Sequence, residues 1–489
     1  MKRRTKLVVI IQTALLALLM LPAGTMAATY YLRPDGKGTN NWNVVGATSA
    51  WDALNDGVTE AETPALTDDI EQTAAAKEEE VTLTTTNIFG VKVTKAELWY
   101  YAGNNQPFEV KSSADTTWQT SNSTGWHSKS QNITSQSALD NLVIRFRTSS
   151  TKTSTPRQVQ VAFLKIETDG PHVYWGAWMN GDVYKSTNPG LGDAPWDKTT
   201  WDLFEAHAEK HVSVVHFGQL PPWEQEFTAS PLELTRKRDA LPMMDMGTGY
   251  IPGYTHSNSE PDNRVSLKEI NEGTYDSYFE KWAKAAANYS YPFFFRWGWE
   301  MNGTWYKWGK DAAEKPAEYV QAWQRIHNIA SKMGASNITW VWCPNVEFSG
   351  STPLAELYPG NEFVDWTCLD GYNKAEVQFE SLFKNSYTAL TSSIAPTKPV
   401  MIGETATVNE HLTASEWIRN AIQSLPGSFP KVKAFLWFNW NIVEKEREWE
   451  WPIELDGGQA TFASEIKTPY FAENEFGAAP ALKAIEPLP

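Results

Sequence analysis

Two glutamates stand out by the company they keep. Glu300 closes an apolar run at 293–299, with Arg296, Trp297 and Trp299 just ahead of it and Asn302, Trp305 and Trp308 just behind. A buried core does not favour an unpaired carboxylate, and a solvated surface does not need so much aromatic area. Flat aromatic faces beside one positioned acid suit a pyranose ring, which presents an apolar C–H face, and suit proton delivery to its glycosidic oxygen. Glu404 closes a second apolar run, Val400-Met401-Ile402-Gly403. Two carboxylates converging on one cleft are what glycoside hydrolysis requires. One protonates the departing oxygen, and the other attacks the sugar carbon or activates water.

The elements that must bring them together are legible from residue 172 onward. Short apolar runs at 173–179, 213–217, 241–246, 293–299, 338–343, 363–369, 400–403 and 434–440 alternate with amphipathic stretches, clearest at 274–287, 316–333 and 415–425. Eight such runs predict a (β/α)8 TIM barrel over 169–489, whose site is lined by residues just past the strand ends. The fourth and seventh strands face one another across such a barrel, so Glu300 and Glu404 are expected on opposite walls of one cleft. The sixth run adds Asp370, Tyr372 and Asn373, and the eighth adds Trp437, Asn439 and Trp440. His216 ends the second run, and a sugar-binding role is weighed evenly against a satisfied core histidine. Glu224 and Asp245 are further partners for sugar hydroxyls. The charged stretch 444–451 reads as a solvated loop whose two tryptophans extend the cleft.

Residues 28–168 have a different texture. Apolar and polar residues alternate at 79–87, 95–102, 142–148 and 158–166, between turns rich in Ser, Thr, Asn and Gly. This pattern predicts an antiparallel β-sandwich, jelly-roll-like, as an accessory domain, with the joint at Thr168-Asp169-Gly170-Pro171. Its aromatics Tyr100, Tyr101, Trp118 and Trp126 read either as a glycan-binding face or as part of a stabilising module. At the start, Met1-Lys2-Arg3-Arg4, an apolar stretch at 7–21 and small residues up to Ala27 read as a signal peptide over 1–27. A secreted or periplasmic location follows as the expectation, since the stretch is too short to remain in a membrane.

The 489 residues carry a formal net charge of −16. That balance disfavours nucleic acid and anionic membranes as partners. Twenty-four tryptophans exceed what one core needs, and a cluster of them at strand ends suits a ligand cleft. Cys343 and Cys368 are read with equal weight as a disulfide or as two buried thiols. No metal-ligating set, phosphate-binding glycine loop or Ser/His/Asp triad is evident, so no metal and no cofactor are expected. The protein is expected to be a monomer.

Arg296-x-x-x-Glu300-Met301-Asn302-Gly303-x-Trp305-Tyr306-x-Trp308-Gly309 resembles the fourth-strand motif of glycoside hydrolase family 26, in which β-mannanases dominate. Tyr358-Pro359-Gly360-Asn361 and Leu369-Asp370-Gly371-Tyr372-Asn373 resemble its sixth-strand region, and the run ending at Glu404 its seventh. The resemblance covers the barrel and leaves out the N-terminal region. It implies a retaining double displacement, with Glu300 as acid/base, Glu404 as nucleophile and Tyr372 bonded to the nucleophile. It further implies Trp305 beside the cleaved bond, Trp437 or Trp440 under the reacting sugar, and Arg296 paired with a carboxylate. Trp299, Asn302, Trp308 and His216 complete the expected substrate-binding set. Family members usually carry His before the acid/base, and here Trp299 stands there. The implied activity is an exported endo-β-1,4-mannanase acting on a plant or algal polysaccharide. A β-1,3-1,4-glucanase, a β-1,3-xylanase and a non-catalytic carbohydrate-binding protein are the alternatives.

Overall fold

The strands of the barrel half are apolar on both faces, as parallel strands covered by helices must be. The computed structural model describes residues 169–489 except 219–226, 249–264, 375–376, 409–412, 445–446, 455–456 and 478–482. Ahead of these it describes 29–32, 42–45, 70–72, 79–83, 90–102, 108–112, 117, 119–121, 125–134, 136–140, 142–148 and 157–168. The barrel strands are β1 (Tyr174–Met179), β2 (Val214–Gly218), β3 (Leu241–Met246) and β4 (Phe293–Trp297), then β5 (Ile338–Trp342), β6 (Trp366–Asn373), β7 (Val400–Thr407) and β8 (Val432–Asn439). Each pairs in parallel with the next, and β8 returns to β1, so the barrel closes.

Helices follow the strands: α1 (Lys198–Ala208), α2 (Ala229–Arg236), α3 (Asp276–Tyr289), α4 (Pro316–Lys332), the short α5 (Leu354–Leu357), α6 (Phe379–Ala389), α7 (Ala414–Ser428) and α8 (Gly458–Ile466), with further short helices at Leu267–Asn271 ahead of α3 and Lys307–Glu314 ahead of α4. Local chemistry sets several starts. The Asp197 carboxylate accepts from the Thr199 and Thr200 amides at the head of α1. Thr413 and Glu416 form a reciprocal capping box on α7, and Pro316 opens α4 where no amide donor is needed.

Most of the aromatic mass lies between strands and helices. Trp175, Trp201, Trp297, Trp323, Trp342, Trp366, Trp417, Trp437 and Trp451 are all wholly buried. Two strands run further than the sequence suggests. β6 ends at Asn373 and β7 at Thr407, so Glu404 lies within its strand rather than beyond it. Gly403 does not break β7; the strand instead slips register against β8 between Ile402 and Thr405.

Ahead of the barrel lie two antiparallel sheets. One pairs Thr29–Leu32, Arg157–Thr168, Val93–Ala102 and Gly125–Ser130, with Ile70–Gln72 added to the second of these. The other runs Trp42–Val45, Glu79–Leu83, Val143–Thr148, Phe108–Ser112 and Gln119–Ser121. Tyr100 does not offer a glycan-binding face, because its ring is buried and stacks on His127. Trp118, the side chains of Tyr101 and Trp126, residues 1–27 and Glu224 lie outside the described residues.

Candidate active site

Alternation along β4 decides which side chains enter the barrel. Phe295 and Trp297 face outward, against Trp282 of α3 at 4.7 Å and Tyr319 of α4 at 5.8 Å between ring centroids. Arg296 therefore points to the axis, wholly buried. Its Nε donates to Asp245 at the end of β3 and its Nη1 to Asp370 of β6, both at 2.7 Å, and its Nη2 donates to Glu404 of β7. One guanidinium thus links three carboxylates from three other strands. Its planar fork suits this task, and the carboxylates compensate for its loss of water.

The three partners are not equivalent. Burial alone would raise the Asp245 pKa, but Arg296 and His216 outweigh it and hold the carboxyl below its ordinary range. Asp370 is pushed well above that range by burial, with Glu404, Glu300 and Asp245 adding to the effect against Arg296. Its free oxygen lies 3.2 Å from Cys343 Sγ. Cys343 and Cys368 form a disulfide, so that sulfur has no hydrogen to give.

Glu404 accepts from Arg296 on one oxygen and from the Tyr372 hydroxyl on the other. His216, weighed evenly between a sugar-binding role and a satisfied core histidine, is wholly buried. Its Nε2 lies 2.8 Å from Asp245 and 3.9 Å from Glu404, in the floor of the site. Asp245 is likewise committed to Arg296 and His216 rather than open to a sugar hydroxyl.

Glu300 sits past the end of β4 in a tight turn. Gly298 has φ +54° and Glu300 itself φ +51°, and the Glu300 amide donates to the Cys343 carbonyl at 2.7 Å. A left-handed non-glycine residue carries strain of about 1 kcal/mol or more, and such strain is typical of residues held for function. The Asn345 amide donates to one Glu300 oxygen and the Trp305 indole N–H to the other, each at 2.7 Å. Burial first, and the facing Glu404 second, raise Glu300 to a pKa of about 7 against these two donors.

Several residues expected to touch substrate hold this turn from behind. Asn302 is buried, and its side chain clamps the backbone of residue 345, accepting from the amide at 2.9 Å and donating to the carbonyl at 2.8 Å. Trp308 is buried, donates to the Trp299 carbonyl at 2.6 Å and stacks on Tyr306 at 4.4 Å. A side chain at Gly247 would strike the Trp308 ring at 2.6 Å, so that glycine makes room for it. Trp299 is nearly buried, edge-on to Tyr306 at 5.0 Å, with the Arg296 guanidinium 5.4 Å from its ring.

The accessible aromatics are fewer. Trp305 remains 48% exposed beside Glu300. Trp440 is half-buried and stacks on Trp178 at 6.0 Å, almost parallel. Trp437 is no platform: it faces the helices, against Trp417 of α7 and Phe462 of α8, and donates to the Trp451 carbonyl. The stretch 444–451 is not a free loop either, because Asn441–Glu444 and Arg447–Glu450 pair as a hairpin. Trp451, just beyond, is buried against Tyr372 at 5.3 Å. Sequence reasoning missed Asn345, although it lies where the strand-end rule applies to the fifth run, and it missed Phe348 and Trp178.

Two groups of described residues are close enough to hold a metal: His216 with Asp245 and Glu404, and Cys343 with Cys368 and Asp370. The Arg296 cation already satisfies the first, and the two sulfurs of the second are bonded to one another.

Residues 264–449 match the sequence model described as Glycosyl hydrolase family 26. Over 193 residues the chain is 32% identical to Endoglucanase H of Acetivibrio thermocellus, covering 37% of this chain and 21% of that protein. Over 181 residues it is 25% identical to Mannan endo-1,4-beta-mannosidase A and B of Caldalkalibacillus mannanilyticus, covering 34% of this chain and 33% of that protein. The chain thus spans a third or less of the length of these relatives. Among solved structures, a family 26 β-mannanase from Bacteroides ovatus superposes with a TM-score of 0.46 at 17% identity, over 64% of this chain and 93% of that one. The segment matched to the family model contains β4 to β8 and both glutamates.

Proposed function

We propose that the chain is an exported, retaining glycoside hydrolase that cleaves a β-linked polysaccharide within its backbone. The observation that carries the reading is the pairing of two buried glutamates with opposite surroundings. Glu404 is held by a guanidinium and a phenol, while Glu300 is raised to about 7 and keeps its proton near neutrality. In the first step Glu404 attacks the anomeric carbon. The bond to the departing oxygen breaks as Glu300 protonates that oxygen, and a glycosyl-enzyme forms. Esterification removes the negative charge on Glu404, so Glu300 becomes a stronger acid and stays ionised. It then takes a proton from water, which attacks the same carbon and releases Glu404. Trp305 and Trp440 supply the flat faces along the cleft.

For the backbone, a β-glucan is the reading that Trp299 favours. Mannose differs from glucose by an axial 2-hydroxyl, which needs a polar partner near the reaction centre. Trp299 occupies the position before the acid/base, and its indole is engaged with Tyr306. The likeness to an endoglucanase supports this reading, and the likeness to a mannosidase keeps β-1,4-mannan as the second. The two antiparallel sheets ahead of the barrel are proposed to pack as a β-sandwich accessory domain. Reducing-sugar release from lichenan, glucomannan, β-1,4-mannan and β-1,3-xylan tests the substrate. Faster turnover of mannan than of lichenan would reverse the preference, and binding without release from any of them would leave a carbohydrate-binding protein.

A further inference from the structure

Few large apolar side chains are left exposed among the described residues, and two of them are neighbours. Trp305 is 48% exposed and Phe348 42%, with ring centroids 5.6 Å apart and planes inclined by 32°. Single exposed hydrophobics are ordinary on protein surfaces, but adjoining ones beside a cleft call for a ligand. Here the pair lies at the mouth of the site, since the Trp305 N–H is bonded to Glu300.

The loop that carries Phe348 is fixed at successive positions. Asn302 clamps residue 345, the Val346 amide donates to the Asp370 backbone carbonyl, and the Glu347 amide donates to the Ser386 hydroxyl. The Phe348 amide donates to the Ser351 hydroxyl while the Ser351 amide donates to the Phe348 carbonyl, and Thr352 returns to the Asn302 carbonyl. Gly350, at φ +90°, makes the turn that this closure needs. The ring is thus presented on a pinned loop, and little order has to be gained when a ligand arrives.

Glu300 delivers its proton to the departing oxygen, so the ring bonded to it lies on the leaving-group side. We propose that Phe348 forms a second aromatic platform on that side, receiving the sugar unit beyond the one over Trp305. The ligand is the leaving half of the same β-glycan, and the inference rests on the hydrolase reading above. A flat face at this position favours substrates that extend past the cleaved bond, and so favours cuts inside a chain over cuts at its end.

The test compares two substrates that share the same glycone: an aryl glycoside, whose aglycone ends at the first leaving-group position, and an oligosaccharide extending at least two units beyond the cleaved bond. Phe348→Ala is expected to lower the ratio of kcat/KM for the long substrate to that for the aryl glycoside by about ten-fold, mainly through KM. Phe348→Tyr, which keeps the flat face, is expected to restore that ratio. Phe348→Leu keeps the bulk without the face and should behave like Phe348→Ala, so a folding defect in the alanine variant does not remove the test. An unchanged ratio in Phe348→Leu overturns the platform. Wild-type protein that neither cleaves nor binds any β-glycan overturns the hydrolase reading and this one together, whereas cleavage with an unchanged ratio overturns this one alone.

Discussion

Replacing Asn345 with alanine removes one of the two hydrogen bonds to Glu300 and leaves the surrounding chain in place. Asn302 holds residue 345 through its backbone amide and carbonyl, neither of which the substitution touches. The lost donor favours the ionised form of Glu300, at 2.7 Å from its oxygen. A hydrogen bond to a charged group is worth about 1.5–3 kcal/mol, and one pKa unit is about 1.36 kcal/mol. The substitution therefore raises the Glu300 pKa by about one to two units, with the lower end expected if water enters the gap and returns part of the interaction. Wild-type Glu300 stands at about 7, so the alkaline limb of kcat/KM against pH should begin there and move to higher pH in the variant. The assay is the pH profile on an unactivated oligosaccharide, whose poor leaving group makes protonation necessary. Asn345→Asp, which brings a second negative charge, should move the limb at least as far. A limb that stays in place or moves to lower pH in Asn345→Ala would refute the assignment of Glu300 as the acid.

Glu300→Ala and Glu404→Ala should each lower kcat on an oligosaccharide by at least several hundred-fold with folding intact by circular dichroism, as expected when a group acting on the reacting atoms is removed. Near-wild-type rates in either folded variant end the two-carboxylate mechanism. Glu300 also leaves a mark on stability. Its folded pKa of about 7 lies above its ordinary value of 4.5, so the folded state binds the proton more tightly and loses stability as pH rises through that window. From about pH 4 to about pH 8, the unfolding free energy of Glu300→Gln should therefore gain about 3 kcal/mol on the wild type. Denaturant titrations at both pH values measure it, and a parallel dependence in the two proteins contradicts the raised pKa. Trp437→Ala should cost about 3–5 kcal/mol of stability with little change in KM, whereas Trp440→Ala should raise KM with little change in melting temperature. The opposite pattern would return Trp437 to the cleft.

The barrel is legible in the sequence because its eight strands are buried on both faces and appear as continuous apolar runs. The strand-end rule then finds Glu300, Glu404 and Tyr372 without any knowledge of contacts. The rule fails where side-chain direction matters more than strand position. Trp437 lies on the eighth strand as expected, but its position in the alternation turns it toward α7 and α8. His216 reaches the axis but stays in the floor, because Asp245 and Arg296 hold it there. Asn302 and Trp308 sit in the motif that suggests a sugar site, yet their bonds go to the backbone of residues 345 and 299. Asn345 and Phe348 belong to a loop whose shape depends on hydrogen bonds between distant segments, and spacing along the chain does not encode these.

The Arg296 junction bears on how this scaffold tolerates change. Its guanidinium joins β3, β6 and β7 from β4, so the group that orients Glu404 also ties together strands far apart in the chain. Removing one partner of a buried charge cluster costs about 3–5 kcal/mol, and a lysine has no planar fork with which to bridge three carboxylates. Variation at the floor is therefore filtered by folding before activity is ever tested. The rim positions Phe348 and Trp440, unlike Trp305 with its bond to Glu300, carry no such double duty. New substrate preferences can be sought there by random substitution and selection, with the floor left as the fixed frame of the library.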